Sequence, residues 1–70
     1  MNKAHMKKTQ KKIEADLRHS LKQGTMLYID GMLAAPSRIS ERMVKEEYRY
    51  MADYVTDDKG HILEIHYNKI

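Results

Sequence analysis

The feature that most constrains this chain is a tight-turn sequence followed by an alternating segment near its C-terminal end. Residues 57–60 read Asp-Asp-Lys-Gly, which places an acidic acceptor at the first turn position and a glycine where the chain leaves with positive φ. The next residues alternate in polarity, as on a half-buried strand. We expect three side chains to be more buried (Leu63, Ile65 and Tyr67) than the three between and after them (Glu64, His66 and Asn68).

The segment before this turn has two interpretations. In one, a helix that follows Pro36 and is capped by Ser37 continues to Val55. In the other, the helix ends near Glu47 and residues 48–56 form a strand that pairs with the alternating segment. The two faces of that strand would carry Tyr48, Tyr50, Ala52 and Tyr54 on one side and Arg49, Met51, Asp53 and Val55 on the other. A four-residue turn that ends in glycine more often joins two strands than a helix and a strand, so we favour the second interpretation.

A second hairpin signal lies earlier in the chain, at Asp30-Gly31. Both central residues of a type I′ turn need positive φ, and Asp-Gly between two apolar runs meets that need. The expected register pairs Ile29 with Met32 and Tyr28 with Leu33. Pro36 should end the second strand, because proline has no amide proton to donate to a ladder.

The N-terminal third of the chain predicts one amphipathic helix, over residues 3–22. Apolar side chains recur there at helical spacing and form one stripe: Met6, Ile13, Leu17 and Leu21. Residues 1–24 carry seven basic and two acidic side chains, whereas the remaining residues carry six basic and eight acidic ones. The opposite side of this helix is the candidate nucleic-acid-binding surface, the basic face, formed by Lys8, Lys11, Lys12, Arg18 and Lys22.

Chain length limits the core. Seventy residues bury only a marginal one, because apolar burial at about 25 cal/mol/Å² nearly cancels an ordering cost of about 1.5 kcal/mol per residue. We expect one domain over residues 1–70, with residues 1–5 frayed, and stabilisation by self-association as a homo-oligomer, most simply a homodimer. The sequence has no cysteine and no apolar run long enough for a signal peptide or a membrane span. These features are typical of a cytoplasmic protein without a membrane partner.

No motif in the sequence carries a recognisable chemistry. His61 and His66 are an odd number of residues apart, which would place them on opposite faces of a strand, and no helical His pair or carboxylate triad is present. Asp57 and Asp58 are typical turn residues rather than a catalytic pair. We therefore expect no catalytic residues, no metal site, no cofactor and no enzymatic activity.

The predicted architecture is α+β, with the N-terminal helix, a short second helix and a small antiparallel sheet of two hairpins. Tyrosine and methionine are favoured in protein interfaces. The candidate protein-interface residues are Tyr28, Tyr48, Tyr50 and Tyr54. The sequence favours a small non-enzymatic binding protein that acts through protein–protein contacts, and the alternative is a nucleic-acid-binding module that uses the basic face.

Overall fold

The computed structural model describes the backbone of residues 3–70 and the side chains from residue 9 onward. It has two helices and four strands, which confirms the α+β class. In chain order the elements are α1 (Lys3–Lys22), β1 (Met26–Ile29), β2 (Met32–Leu33), α2 (Pro36–Lys45), β3 (Tyr50–Thr56) and β4 (Ile62–Lys69). Residues 1 and 2 and the side chains of Met6 and Lys8 lie outside the described residues, so their predicted roles stay predictions.

The sheet is mixed, and the prediction of a purely antiparallel sheet is wrong. The strand order is β2-β1-β4-β3. The two predicted hairpins, β1–β2 and β3–β4, are joined by parallel pairing of β1 with β4. The connection through α2 explains this arrangement, because it makes β3 run in the same direction as β2 and so makes β4 run in the same direction as β1. The strand β4 then takes a central position between β1 and β3, and β3 is left at the edge.

The first hairpin has the predicted turn and register. Asp30 and Gly31 have φ values of 49° and 83°, as a type I′ turn requires. Tyr28 pairs with Leu33 and Ile29 with Met32. The turn forms where predicted because its two positive φ angles depend on local chemistry alone.

The start of α2 differs from the prediction. The N-cap is Ala35 rather than Ser37, and Pro36 is the first helical residue. Proline suits this position because its fixed φ is helical and its missing amide would have no partner in the first turn. Ser37 therefore lies inside the helix, where its carbonyl accepts a hydrogen bond from the Ser40 hydroxyl at 3.0 Å.

The end of α2 resolves the ambiguity in favour of the second hairpin. The Tyr48 amide donates to the Met43 carbonyl at 2.7 Å and the Glu47 amide to the Val44 carbonyl at 3.2 Å, the hydrogen bonds of a Schellman motif. Glu47 and Tyr48 both have positive φ, 54° and 62°. These left-handed residues stop the helix at Lys45 and turn the chain into β3.

The second hairpin has the predicted turn, with Gly60 at a φ of 83° and its amide donating to the Asp57 carbonyl at 3.1 Å. The burial order in β4 is only partly as predicted. Ile65 is buried, but Leu63 is 45% exposed. Leu63 falls at a register shift, where Val55 pairs with Glu64 and Thr56 with Ile62, so it is the extra residue of a bulge that no regular alternation predicts.

The core lies between the sheet and the two helices. It contains six buried apolar side chains: Leu17, Leu27, Ile29, Ile39, Tyr50 and Ile65. The helix α1 follows its predicted stripe in part, because Leu17 is buried and Ile13 half-buried while Leu21 is largely exposed. Among the described residues, both helices contribute to this one core and no second layer covers the other face of the sheet.

Candidate protein-interaction surface

The face of the sheet that points away from the core is covered by no described element, and we call it the open face. Strand alternation and the pairing register identify its members. They are Met26 and Tyr28 of β1, Leu33 of β2, Met51, Asp53 and Val55 of β3, and Glu64, His66 and Asn68 of β4.

The centre of the open face is an aromatic and polar cluster. The rings of Tyr28 and His66 stack at a centroid distance of 4.4 Å and an interplanar angle of 2°. His66 Nε2 lies 2.7 Å from Glu64 Oε1, and Asp53 pairs with His66 from the other side. The stack exists because β1 and β4 are parallel neighbours that bring Tyr28 opposite His66.

Large apolar side chains flank this cluster on both sides. Met51 and Leu33 are 62% and 60% exposed, and Met26 and Val55 are also exposed. Single exposed apolar residues are ordinary, but four on one face of one sheet leave apolar surface that a partner can cover. On the open face, the polar side chains of β4 lie between the mostly apolar side chains of the neighbouring strands. This mixed composition is typical of a protein interface rather than of an internal core.

The four tyrosines predicted as interface residues do not form one surface. Tyr28 lies on the open face. Tyr50 is buried in the core, with its hydroxyl 3.4 Å from Asp30 Oδ2. Tyr48 is exposed in the α2–β3 connection, and Tyr54 lies on the helix-covered face but is 56% exposed. Alternation in β3 correctly separates Tyr50 and Tyr54 from Met51 and Val55, but it does not show which side the helices cover.

Tyr54 and its neighbour Tyr67 mark the margin of the helical layer. Tyr67 contributes to the core from the adjacent strand, and its burial, together with the nearby Tyr54, raises the pKa of its phenol above the ordinary value. Burial at this margin therefore favours the neutral phenol of Tyr67 over the phenolate.

The basic face of α1 is exposed wherever its side chains are described. Lys11, Lys12, Arg18 and Lys22 are all exposed, on the side of the helix opposite Ile13. Arg18 lies 3.3 Å from Glu14 Oε2, so part of its charge is balanced within the helix. The Lys8 side chain lies outside the described residues.

One His-carboxylate pair needs a chemical assessment. His61 Nδ1 lies 3.2 Å from Asp57 Oδ2, beside a groove of about 430 Å³ that Ser20 and Thr25 also line. Both hydroxyls donate to backbone carbonyls, Ser20 to Asp16 at 3.3 Å and Thr25 to Ile62 at 3.0 Å. Neither is aimed at His61 as a nucleophile would be at its base. The pair therefore orders the turn rather than activating a hydroxyl.

Within residues 9–70, no group of three or more His, Asp or Glu side chains is close enough to hold a metal ion. His61 lies in the turn and His66 in β4, so the reason given above for separating them, opposite faces of one strand, does not apply to His61. In the part of the chain that the structure describes, no helix has the length and apolar character to cross a membrane. No protein-family model, curated protein or solved structure matches this chain.

Several residues of the open face were not predicted as site residues. Alternation placed Met51 and Val55 together, so this part of the face was open to prediction. Alternation also placed Glu64 and His66 on one face of β4, but it did not indicate the stack of His66 with Tyr28, because that contact depends on β4 lying beside β1. Asp30 was predicted only as a turn residue, yet its carboxylate also lies near Arg42, Tyr50 and the Lys69 amide.

Proposed function

We propose that this chain is a small non-enzymatic binding protein that acts through protein–protein contacts made by its open face. The single observation that carries the proposal is that this face is uncovered although it displays Met26, Leu33, Met51 and Val55. Surfaces of this kind on small proteins are typical of interaction sites.

The composition of the face supports a protein partner in particular. Methionine adapts to a partner of irregular shape because it is unbranched and polarisable. Tyr28 and His66 are held by their stacking, so they lose little conformational entropy when a partner covers them. The face thus combines adaptable apolar contacts with a fixed polar centre.

Site-specific photo-cross-linking in the native cell tests the proposal. A photoreactive residue replaces Met26, which is exposed on β1 and two strands away from β3; the matched control carries the same group in place of Lys12, on the basic face. We expect a discrete protein adduct from the Met26 probe that is lost when Met51 and Val55 are both changed to threonine. A protein adduct of equal yield from both probes, or one that survives the double change, would contradict the proposal.

The exposed lysines favour one alternative, a nucleic-acid-binding module that uses the basic face. If three lysines contact phosphates, the affinity for duplex DNA should fall with a log–log salt slope of about −3. Changing Lys11, Lys12 and Lys22 to glutamine should then remove the slope without unfolding α1, because glutamine is nearly as good a helix former. If the wild-type protein binds no duplex at about 50 mM salt, this alternative is excluded.

A further inference from the structure

The two edges of the sheet are protected very differently. The strand β2 is two residues long and is followed closely by Pro36, and short edge strands near proline resist pairing with other chains. The other edge, β3, is seven residues long, reads Tyr-Met-Ala-Asp-Tyr-Val-Thr, and has no proline and no lysine. Among the described residues no strand lies beyond it. A long, largely apolar edge strand of this type is a template for another strand.

The hydrogen-bonding groups that face this free edge follow from the ladder. The Ile70 amide donates to the Arg49 carbonyl at 3.0 Å, so residues 49 and 70 are a hydrogen-bonded pair. Such pairs alternate along an antiparallel ladder, which turns the amides and carbonyls of Met51 and Asp53 toward β4. Those of Tyr50, Ala52 and Tyr54 therefore point outward.

A second contact confirms this assignment. The Tyr67 carbonyl accepts from the Asp30 amide at 2.9 Å, on the side of β4 away from β3. Tyr67 is the ladder partner of Ala52, so the two are a non-hydrogen-bonded pair and the Ala52 backbone groups face the free edge. Together, the backbones of Tyr50, Ala52 and Tyr54 present three amides and three carbonyls to the free edge.

We propose that β3 pairs antiparallel with β3 of a second copy of this chain, about a two-fold axis at Ala52, to form one continuous eight-stranded sheet. In this register Ala52 faces its own copy, and Tyr50 faces Tyr54 of the second copy. All outward groups of the three residues are then paired, with about six hydrogen bonds between the copies. The inference goes beyond the proposed function, because it assigns the β3 edge, rather than the open face, to contact with a second copy.

Side-chain charge disfavours one neighbouring register, and the number of hydrogen bonds disfavours the other. An axis at Met51 would set Tyr54 opposite Tyr48, which lies outside β3, and would leave about four hydrogen bonds between the copies. Shifting the axis by one residue to Asp53 would place two aspartates directly opposite each other, which is destabilising. With the axis at Ala52, Asp53 faces Met51 of the second copy, and Arg49 lies diagonal to Asp53 of the second copy. The smallest side chain of β3 sits on the axis, so no side chain collides with its own copy there.

Sedimentation of the full-length chain tests the pairing. We expect a mass of twice 8.3 kDa at about 100 µM for the wild-type protein. In a synthetic chain, an N-methyl group on the Ala52 amide removes an edge donor without touching the β3–β4 ladder, and dimerisation should weaken more than about tenfold. The control is Ala52→Ser, which keeps the amide and should remain dimeric. Circular dichroism checks that each chain is folded.

Disulfide trapping tests the register independently of the N-methyl chain. The sequence has no cysteine, so Ala52→Cys introduces one thiol on the axis, where the Cα–Cα distance of about 5.5 Å between paired strands permits a disulfide. We expect Ala52→Cys to be oxidised to a linked dimer in a glutathione buffer, and Asp53→Cys to remain largely unlinked. The reverse order would overturn the register.

The outcomes separate this inference from the proposed function. A wild-type monomer at about 100 µM, or a dimer unaffected by the Ala52 N-methyl group, would overturn edge pairing. A Met26 adduct obtained with a monomeric protein would still support the open face as a binding surface. A dimer sensitive to the Ala52 amide, without any Met26 adduct, would support edge pairing and overturn the role of the open face.

Discussion

At the scale of single residues, Asp30 connects more of the fold than its turn position implies. Its carboxylate lies 3.4 Å from Arg42 Nη2 of α2, 3.4 Å from the Tyr50 hydroxyl of β3 and 3.3 Å from the Lys69 amide of β4. These contacts are long, so each is weak, but together they link the first hairpin to three other elements.

Asp30→Asn tests this role. Asparagine tolerates the left-handed φ of the turn, so the change removes the negative charge and keeps the turn geometry. We expect the free energy of unfolding to fall by about 1 kcal/mol in urea denaturation, because three acceptor contacts weaken. The matched control is Asp53→Asn on the open face, which should change stability by less than about 0.5 kcal/mol. Equal losses in the two variants would contradict the role of Asp30.

The pH dependence of stability is expected to include Asp57. Hydrogen bonds from the His61 amide, and further ones from the Lys59 amide and the His61 ring, hold the pKa of the Asp57 carboxyl below its ordinary value. Because the folded pKa lies below the unfolded one, the stabilisation is fully present above an unfolded pKa of about 4 and is lost as the pH falls through the folded pKa. The Lys69 ammonium lies 2.9 Å from Glu46 Oε2 and likewise lowers the pKa of the Glu46 carboxyl.

Urea denaturation at several pH values measures this linkage. We expect the difference in stability between wild type and Asp57→Asn to be positive at neutral pH and to shrink as the pH falls below about 4, through the lowered pKa of the folded state. Carbon NMR titration of the Asp57 carboxyl should give a midpoint below that of a model aspartate. A stability difference that stays constant down to the acid limit would show that the pKa of Asp57 is not lowered in the folded state.

At the scale of elements, turn chemistry explains why the hairpins were predicted from their own residues, whereas the end of α2 near Glu47 was predicted only from the turn that follows β3. Asp30-Gly31 and Gly60 meet a local need for positive φ with residues that favour it. The end of α2 has the same need but meets it with Glu47 and Tyr48, which give no sequence signal. The cap at Ala35 was missed for a related reason, because it makes no side-chain hydrogen bond.

Two substitutions at residues with positive φ test this explanation, because they should change the free energy of unfolding in opposite directions. Glu47→Gly should raise the free energy of unfolding by about 0.5–1 kcal/mol, because glycine adopts the φ of 54° without strain. Gly60→Ala should lower it by about 1 kcal/mol, and through φ alone, because a Cβ there meets no atom within 4 Å. Thermal denaturation measures both. The control Glu47→Ala removes the exposed pair with Arg49 but keeps the strain, so a gain in that variant would count against the explanation.

At the scale of the whole molecule, the order of the strands was beyond the reach of sequence patterns. Tyr28 and His66 stack only because β1 and β4 are parallel neighbours, and no periodicity within either strand specifies its neighbour. The same limit applies to the open face, since alternation groups Met51 with Val55 but does not say which side of the sheet the helices cover. Exposure of Lys11, Lys12 and Lys22 on α1 needed only the helical period and was correctly predicted.

The measurement that most directly tests the account is residue-resolved amide hydrogen exchange along β3 at low and high protein concentration. The free edge of β3 and its pairing with a second copy together predict which amides of β3 exchange slowly at each concentration. The amides of Met51 and Asp53 should be protected at both concentrations, whereas those of Ala52 and Tyr54 should exchange rapidly in dilute solution and slowly in concentrated solution. Rapid exchange of Ala52 and Tyr54 at both concentrations, or protection of all four amides in the dilute monomer, would contradict the account.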